Sequence, residues 1–186
     1  MALAALMAWV RQILSLPRLL RRTFDGVTRV RKRRKEADVA TPLPLSGPNL
    51  TFNGALTKRR FFTMSSLALE DFKQVKSAFD VTINDVVLAI AAGGLRRLLL
   101  DHDERADEAL IASVPAATDT SPDRITGNEL STMLVSLPVQ VADPLERLRL
   151  VQTATRIAKE DNELLGPRTV GKWLEYVPPV VIRSTF

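Results

Sequence analysis

Cysteine is absent from these 186 residues, and histidine occurs once, at His102. Without cysteine the chain can form no disulfide, no thiolate nucleophile and no cysteine-ligated metal site. A single histidine also excludes zinc sites that need two or three imidazoles, although sites built from carboxylates remain open. We therefore expect no metal and no bound cofactor, and nothing indicates an oxidising compartment.

Long apolar runs are missing as well. Arg, Lys or Asp interrupts each apolar stretch well short of the roughly 20 residues that a bilayer span needs. Apolar residues nevertheless make up 46% of the chain, enough to bury a real core and to exclude disorder over most of its length. The length fits one domain, or a large part of two.

Acidic residues are scarce at one end of the chain. Residues 1–60 hold 13 basic and 3 acidic side chains, whereas residues 61–186 hold 13 basic and 18 acidic ones. A basic end of this kind favours anionic partners, which are phospholipid head groups, nucleic acid or an acidic neighbouring domain.

The basic end combines an amphipathic pattern with a dense run of charge. Apolar residues recur at helical spacing from Leu3 to Leu14, which predicts a helix that is interrupted near Pro17. The run from Arg29 to Lys35 favours a solvated crossover loop when taken alone. Contact with an anionic membrane is the alternative for this segment. Its candidate residues are Arg11, Arg18, Arg22, Arg31, Lys32, Arg33, Arg34 and Lys35. Nucleic-acid binding is the least favoured interpretation, because neither a groove-reading motif nor an aromatic platform accompanies the run.

The rest of the chain predicts a mixed, layered α/β body. Proline and glycine are frequent over residues 40–60, which indicates a linker. Periodicity then predicts, in order, a strand, two helices, two strands and two helices. The predicted strands cover residues 60–69, 110–116 and 130–141, and the predicted helices cover residues 66–79, 82–100, 143–165 and 169–176.

The second predicted helix has a clear start signal. Thr82 is a good N-cap, and Asp85 stands three residues later in a capping-box relation, with Asp in place of the usual Glu. The residues that follow are apolar nearly all round, which predicts a buried helix. Gly93 and Gly94 each cost about 1 kcal/mol relative to Ala, which is tolerable if something packs closely there.

Five segments, in the right order over residues 51–150, carry a resemblance to a known family. They are Thr51-Phe-Asn-Gly54 with Arg59-Arg-Phe61, Thr82-Ile-Asn-Asp-Val-Val-Leu-Ala89, Val114-Pro115, Gly127-Asn128 through Leu137-Pro138, and Asp143-Pro-Leu-Glu-Arg-Leu148. Together they resemble segments of the wax ester synthase/diacylglycerol acyltransferase family. Ala116 and Ala117 depart from the family pattern, which favours Val and Ser at these positions.

The resemblance implies a fold of two similar half-domains, like the chloramphenicol acetyltransferase and condensation-domain group. This chain would supply part of the second half-domain. Residues 1–40 would form the basic crossover, residues 41–60 the linker and residues 61–186 the partial C-terminal half. The apolar stretch just before Phe186 adds to the expectation that the chain is a fragment.

The resemblance also implies a reaction, which is transfer of a fatty acyl group from acyl-CoA to a diacylglycerol or long-chain alcohol hydroxyl. The family signature for it, His-His-x-x-x-Asp-Gly, cannot occur in a sequence with one histidine. We therefore expect this chain alone to be inactive, and His102 to be an ordinary surface residue. A complementary N-terminal half and an anionic membrane surface are the expected partners. The expected location is the cytoplasm, with peripheral attachment at the inner face of the plasma membrane or at lipid droplets.

Five polar positions remain as candidates for a structural or pocket-lining role: Asn84, Asp85, Gly127, Asn128 and Ser131. Asn84 and Asp85 either face the substrate tunnel or serve the helix start, and local hydrogen bonding is the favoured interpretation. Gly127 and Asn128 are typical of a turn, with a close backbone approach to substrate as the alternative. No partner histidine accompanies Ser131, so a nucleophilic role is disfavoured.

Overall fold

A computed structural model gives the structure of the chain for residues 2–36, 47–54, 57–59, 62–117, 130–166, 169–174 and 176. The chain divides into two compact units. The first unit is built from Met1–Ala40, Val114–Met133 and Lys159–Phe186, and the second from Thr41–Ser113 and Leu134–Ala158.

The described elements are five α-helices, one short 3-10 helix and two strands. In chain order they are α1 (Ala2–Glu36), the 3-10 helix (Thr51–Asn53), α2 (Leu69–Phe79), α3 (Ile83–Asp101), β1 (Leu110–Ala117), β2 (Leu130–Leu137), α4 (Pro144–Leu165) and α5 (Thr169–Leu174). β1 and β2 pair in a two-stranded sheet. The predicted mixed α/β class is confirmed.

The basic end of the chain is a single helix, so two predictions about it were wrong. α1 continues through Pro17 and through the whole basic run from Arg29 to Lys35. A proline inside a helix removes one backbone hydrogen bond and costs about 3 kcal/mol. Burial of Leu19 and Val30 on the helix beyond the proline offsets this cost.

The core of the second unit lies around α3. Ala92 and Leu99 pack in one cluster with Leu110, Leu137 and Val139, where the two strands begin and end. Val86 and Ala89 pack in a second cluster, whose other buried members are Val81, Leu148 and Val151. α3 thus presents different residues to the sheet and to α4.

The two glycines of α3 differ in their surroundings. A Cβ at Gly93 would overlap the guanidinium of Arg147, whereas no described residue lies within 4 Å of a Cβ at Gly94. Arg147 extends from α4 across Gly93 and donates to two backbone carbonyls, Val141 O at 3.2 Å and Ala142 O at 2.8 Å. A close packing partner is therefore present at Gly93, and no described residue supplies one at Gly94.

Other boundaries differ from the predictions for identifiable reasons. Residues 62–68 are not a strand, because no described strand lies beside them to pair with their backbone groups. β2 stops at Leu137, where Pro138 follows and brings no backbone N–H. α5 ends at Leu174, two residues short of the predicted end.

α3 is not buried all round, contrary to prediction. Val87, Ile90 and Leu98 each remain 45–48% exposed and form an apolar stripe on its outer face. No single described helix is long and apolar enough to cross a membrane. α2 and α3 pass that test of length and composition only when taken together, across a bend of 104°.

Candidate functional site

A buried carboxylate lies at the start of α3, in the second unit. Asp85 is 2% exposed. Its Oδ2 accepts hydrogen bonds from the backbone N–H of Thr82 at 2.8 Å and from the Thr82 hydroxyl at 2.7 Å. The Thr82 hydroxyl oxygen in turn accepts from the Asp85 N–H at 3.2 Å, which completes the predicted capping box. These bonds show that an Asp side chain is long enough for the role that Glu usually takes in this motif.

The second oxygen of the same carboxylate reaches another helix. Thr155, on α4, is 3% exposed and donates its hydroxyl proton to Asp85 Oδ1 at 2.6 Å. Sequence reasoning missed Thr155. The signal was there, because Thr155 interrupts an apolar stripe formed at helical spacing by Leu148, Val151 and Ala158. A polar residue on a buried stripe needs a partner.

A second hydrogen bond joins the turn between α2 and α3 to α4. Asp80 ends α2 in a left-handed conformation, with φ of 51°. The Gln152 side-chain amide donates to the Asp80 carbonyl at 2.8 Å. The α2–α3 turn is thus held to α4 at two points, one on each side of Val81. This geometry supports a positioning role for Asp85, since three donors occupy its two oxygens.

The other predicted polar positions are not brought to this cluster. Asn84 is exposed on the outer face of α3, one turn before Val87 and Leu88. Ser131 is buried in the first unit, where its hydroxyl donates to Asn162 Oδ1 at 2.7 Å. Gly127 and Asn128 lie outside the described residues. The alternative pocket-lining role of these four residues stays a prediction.

The basic side chains of α1 separate into groups. Arg18, Arg22, Arg31 and Lys32 are exposed. Arg33 is partly buried and pairs with Glu160 and with Asp161, the latter at 3.1 Å from Asp161 Oδ1 to Arg33 Nη1. The backbones of Arg11, Arg34 and Lys35 belong to α1, while their side chains lie outside the described part of the chain. Contact of this set with a membrane stays a prediction.

His102 ends α3 as its C-cap residue and is exposed. Its backbone N–H donates to the Leu98 and Leu99 carbonyls at 3.2 Å. Within the described residues, no group of three or more His, Asp or Glu side chains comes close enough together to hold a metal ion.

An apolar cavity of about 540 Å³ lies in the second unit. The segment from Pro48 to Asn53, including the exposed ring of Phe52, forms one wall. Leu95 of α3 and residues of both strands form the others. The volume and the apolar lining are those of a small-ligand pocket. None of the described residues that line this cavity is titratable, so the described lining is suited to apolar groups.

Comparison with known proteins identifies the class to which this fold belongs. A family model for the wax ester synthase/diacylglycerol acyltransferase catalytic domain matches residues 1–87, and one for the C-terminal domain of the same family matches residues 126–186. The solved structure of the wax ester synthase/diacylglycerol acyltransferase from Marinobacter aquaeolei VT8 is similar, with a TM-score of 0.52 and 25% identity over 77% of this chain and 31% of that one.

Two curated relatives carry names that fit this family. A Mycobacterium tuberculosis H37Rv protein with the provisional name diacylglycerol O-acyltransferase Rv0221 is 40% identical over 98% of this chain and 39% of its own length. A second from the same strain, Rv1760, with the same provisional name, is 34% identical over 88% of this chain and 30% of its own length. The chain belongs to the wax ester synthase/diacylglycerol acyltransferase family, and it spans about two fifths of the length of the first of these relatives.

Proposed function

We propose that this chain is part of an O-acyltransferase that transfers a fatty acyl group from acyl-CoA to a hydroxyl of diacylglycerol or a long-chain alcohol. The products would be triacylglycerols or wax esters. The match of both family models, in order along one chain, is the observation that carries the proposal. The apolar cavity beside Phe52 adds support, because either substrate is largely hydrocarbon.

We further propose that these 186 residues alone do not catalyse the transfer. A hydroxyl needs a general base near it, and histidine is the side chain best matched to neutral pH. His102 is exposed at a helix end, Asp85 already accepts from three donors, and Asp161 pairs with Arg33. Among the described residues, no side chain that could act as a base lines the apolar cavity beside Phe52. The complete reaction would need the family's two-histidine motif from a complementary N-terminal half.

The test is an acyl-transfer assay with labelled oleoyl-CoA and either dioleoylglycerol or hexadecanol. The purified chain should give no turnover above buffer. Addition of the part of the Marinobacter aquaeolei protein that this chain does not match should restore turnover. His102→Ala should leave the restored rate unchanged. Turnover by the chain alone that His102→Ala abolishes would refute the account of the missing base.

A second candidate function rests on the exposed cations of α1. A membrane-surface module would gain about 1 kcal/mol for each well-placed Lys or Arg near an anionic bilayer. Arg18, Arg22, Arg31 and Lys32 are exposed and could contribute. The proposed location is then the cytoplasm, with peripheral attachment at the plasma membrane or lipid droplets. Liposome flotation tests this, since equal recovery with phosphatidylcholine and phosphatidylglycerol vesicles would exclude the attachment.

A further inference from the structure

A cavity of about 660 Å³ lies within the first unit. One wall is a face of α1 that carries Arg18, Arg22 and Arg29. The opposite wall runs from the end of α4 into α5 and carries Lys172. These three arginines recur at intervals of four and seven residues, which places them on one side of a helix.

The walls of this cavity are fixed by contacts at both ends. Trp173 donates its indole N–H to the Thr23 hydroxyl at 3.0 Å, and the hydroxyls of Ser15 and Tyr176 are 2.7 Å apart. At the other end a Cβ at Gly26 would lie 3.1 Å from the Leu164 carbonyl oxygen, so α1 and α4 approach closely there. The four cations, although exposed, therefore line an open cavity whose two walls are held in place.

One of the four cations has a structural role. The Arg29 guanidinium donates to the Asp25 carbonyl at 3.1 Å and to the Leu164 carbonyl at 3.4 Å, at the C-terminal end of α4. A cation is favoured there because the helix end carries partial negative charge. No such contact accounts for Arg18, Arg22 or Lys172, and these three form no ion pair with any carboxylate in the described part of the chain.

Among the described lining residues, Glu163 is the one carboxylate beside these four cations. An excess of positive charge inside a cavity attracts anions and focuses their approach. Arginine side chains bind phosphate with paired N–H donors, and lysine binds it as a point charge. The volume fits a ligand of several hundred cubic ångströms, far larger than a bare phosphate ion.

We propose that this cavity binds a phosphate group carried on a larger molecule, with Arg18, Arg22 and Lys172 as its ligands. The phosphate chemistry is the same whether it comes from a soluble phosphoester or from a phospholipid head group. Coenzyme A is the soluble source to test, and that choice, unlike the cavity itself, rests on the proposed function.

Binding of coenzyme A and of inorganic phosphate to the full chain is measured by calorimetric titration. Binding of the full chain to phosphatidylglycerol or phosphatidylcholine vesicles is measured by flotation. The double variant Arg18→Glu/Arg22→Glu should weaken binding of the preferred probe at least about tenfold. The matched control is Arg31→Glu/Lys32→Glu, which makes the same change of charge on the same helix but outside the cavity. In the calorimetric titrations with coenzyme A and phosphate, it should weaken binding less than about threefold. Lys172→Gln, a milder change on α5, should weaken binding as well and guards against misfolding of the double variant.

Each outcome decides the matter. Binding of coenzyme A that is lost only in the cavity variants supports a soluble phosphoester, and binding of phosphatidylglycerol vesicles with the same pattern supports a head group. An equal loss in the cavity and control variants would show non-specific attraction and overturn the proposal, as would absence of binding to every probe. None of these measurements requires turnover, so failure of the acyl-transfer assay leaves the result for the cavity intact.

Discussion

Removal of the Asp85 carboxylate should destabilise the second unit far more than removal of an exposed carboxylate on the same helix. Asp85→Ala deletes three hydrogen bonds to an ionised acceptor, made by the Thr82 N–H, the Thr82 hydroxyl and the Thr155 hydroxyl. Hydrogen bonds to charged groups contribute roughly 1.5–3 kcal/mol each, but Thr155 keeps a second acceptor in the Gln152 carbonyl at 3.1 Å. We expect a net loss of about 3–4 kcal/mol, which is roughly 10 °C in Tm for a chain of this size.

Asp85→Asn is predicted to cost much less. The amide oxygen can accept from both Thr82 donors, and the amide N–H can donate to the Thr155 hydroxyl, whose proton then turns to the Gln152 carbonyl. Only the negative charge at the N-terminus of α3 is lost, which is about 1 kcal/mol. Asp101→Ala is the matched control at the other end of α3. Its exposed pair with Arg97, at 2.9 Å, should contribute no more than about 0.5 kcal/mol.

The assay is thermal and urea unfolding followed by circular dichroism. A coupling test sharpens it, because Thr155→Val should cost about 2 kcal/mol in the native sequence and much less when Asp85 is already Ala. Equal destabilisation by Asp85→Ala and Asp101→Ala, or full additivity of Asp85→Ala with Thr155→Val, would refute the role assigned to this cluster.

Two further predictions concern single contacts. Gly94→Ala should stabilise the chain by up to about 1 kcal/mol. Gly93→Ala should destabilise it, because the new methyl group displaces Arg147 from the two carbonyls to which it donates. Unfolding curves of the two variants compare their stabilities directly, and a gain of stability in both variants would contradict the contact. The pKa of Glu104 lies below its ordinary value of 4.5, because the Thr51 hydroxyl and N–H donate to its carboxylate. The two hydrogen bonds are therefore present at neutral pH and are lost as the pH falls through that lowered pKa. Thr51→Val should raise this pKa in an NMR titration, and an unchanged value would exclude the hydroxyl as its cause.

The starts of α3 and α4 were predictable because their signals are local. Thr82 and Asp85 lie three residues apart, and so do Asp143 and Glu146, whose N–H donates to Asp143 Oδ1 at 2.7 Å. All the atoms of such a cap come from one turn of chain. Both α3 and α4 therefore begin where the sequence placed them.

The predicted strand over residues 60–69 failed for the opposite reason. Its apolar content favours a strand, but a strand is stable only where another strand accepts and donates its backbone hydrogen bonds. That partner is set by residues far away in the chain. Phe62, Met64 and Leu67 are left exposed instead. The hydrogen bond from Thr155 to Asp85 could not be predicted for the same reason, because the two residues are 70 positions apart in the chain.

The cations of α1 show how one run of like residues acquires separate roles. Each residue turns a helix by about 100°, so Arg31, nine positions after Arg22, points to the opposite side. Arg18 and Arg22 line the cavity of the first unit, while Arg33 pairs with acids 127 and 128 residues away. A charge count treats these side chains as equivalent. Once the helix is known to be unbroken, the sequence predicts which side of α1 each of these side chains faces. It does not predict where Glu160 and Asp161 lie relative to α1. A membrane plane can contact only one side of this helix, so a flat membrane cannot engage all of the predicted residues at once.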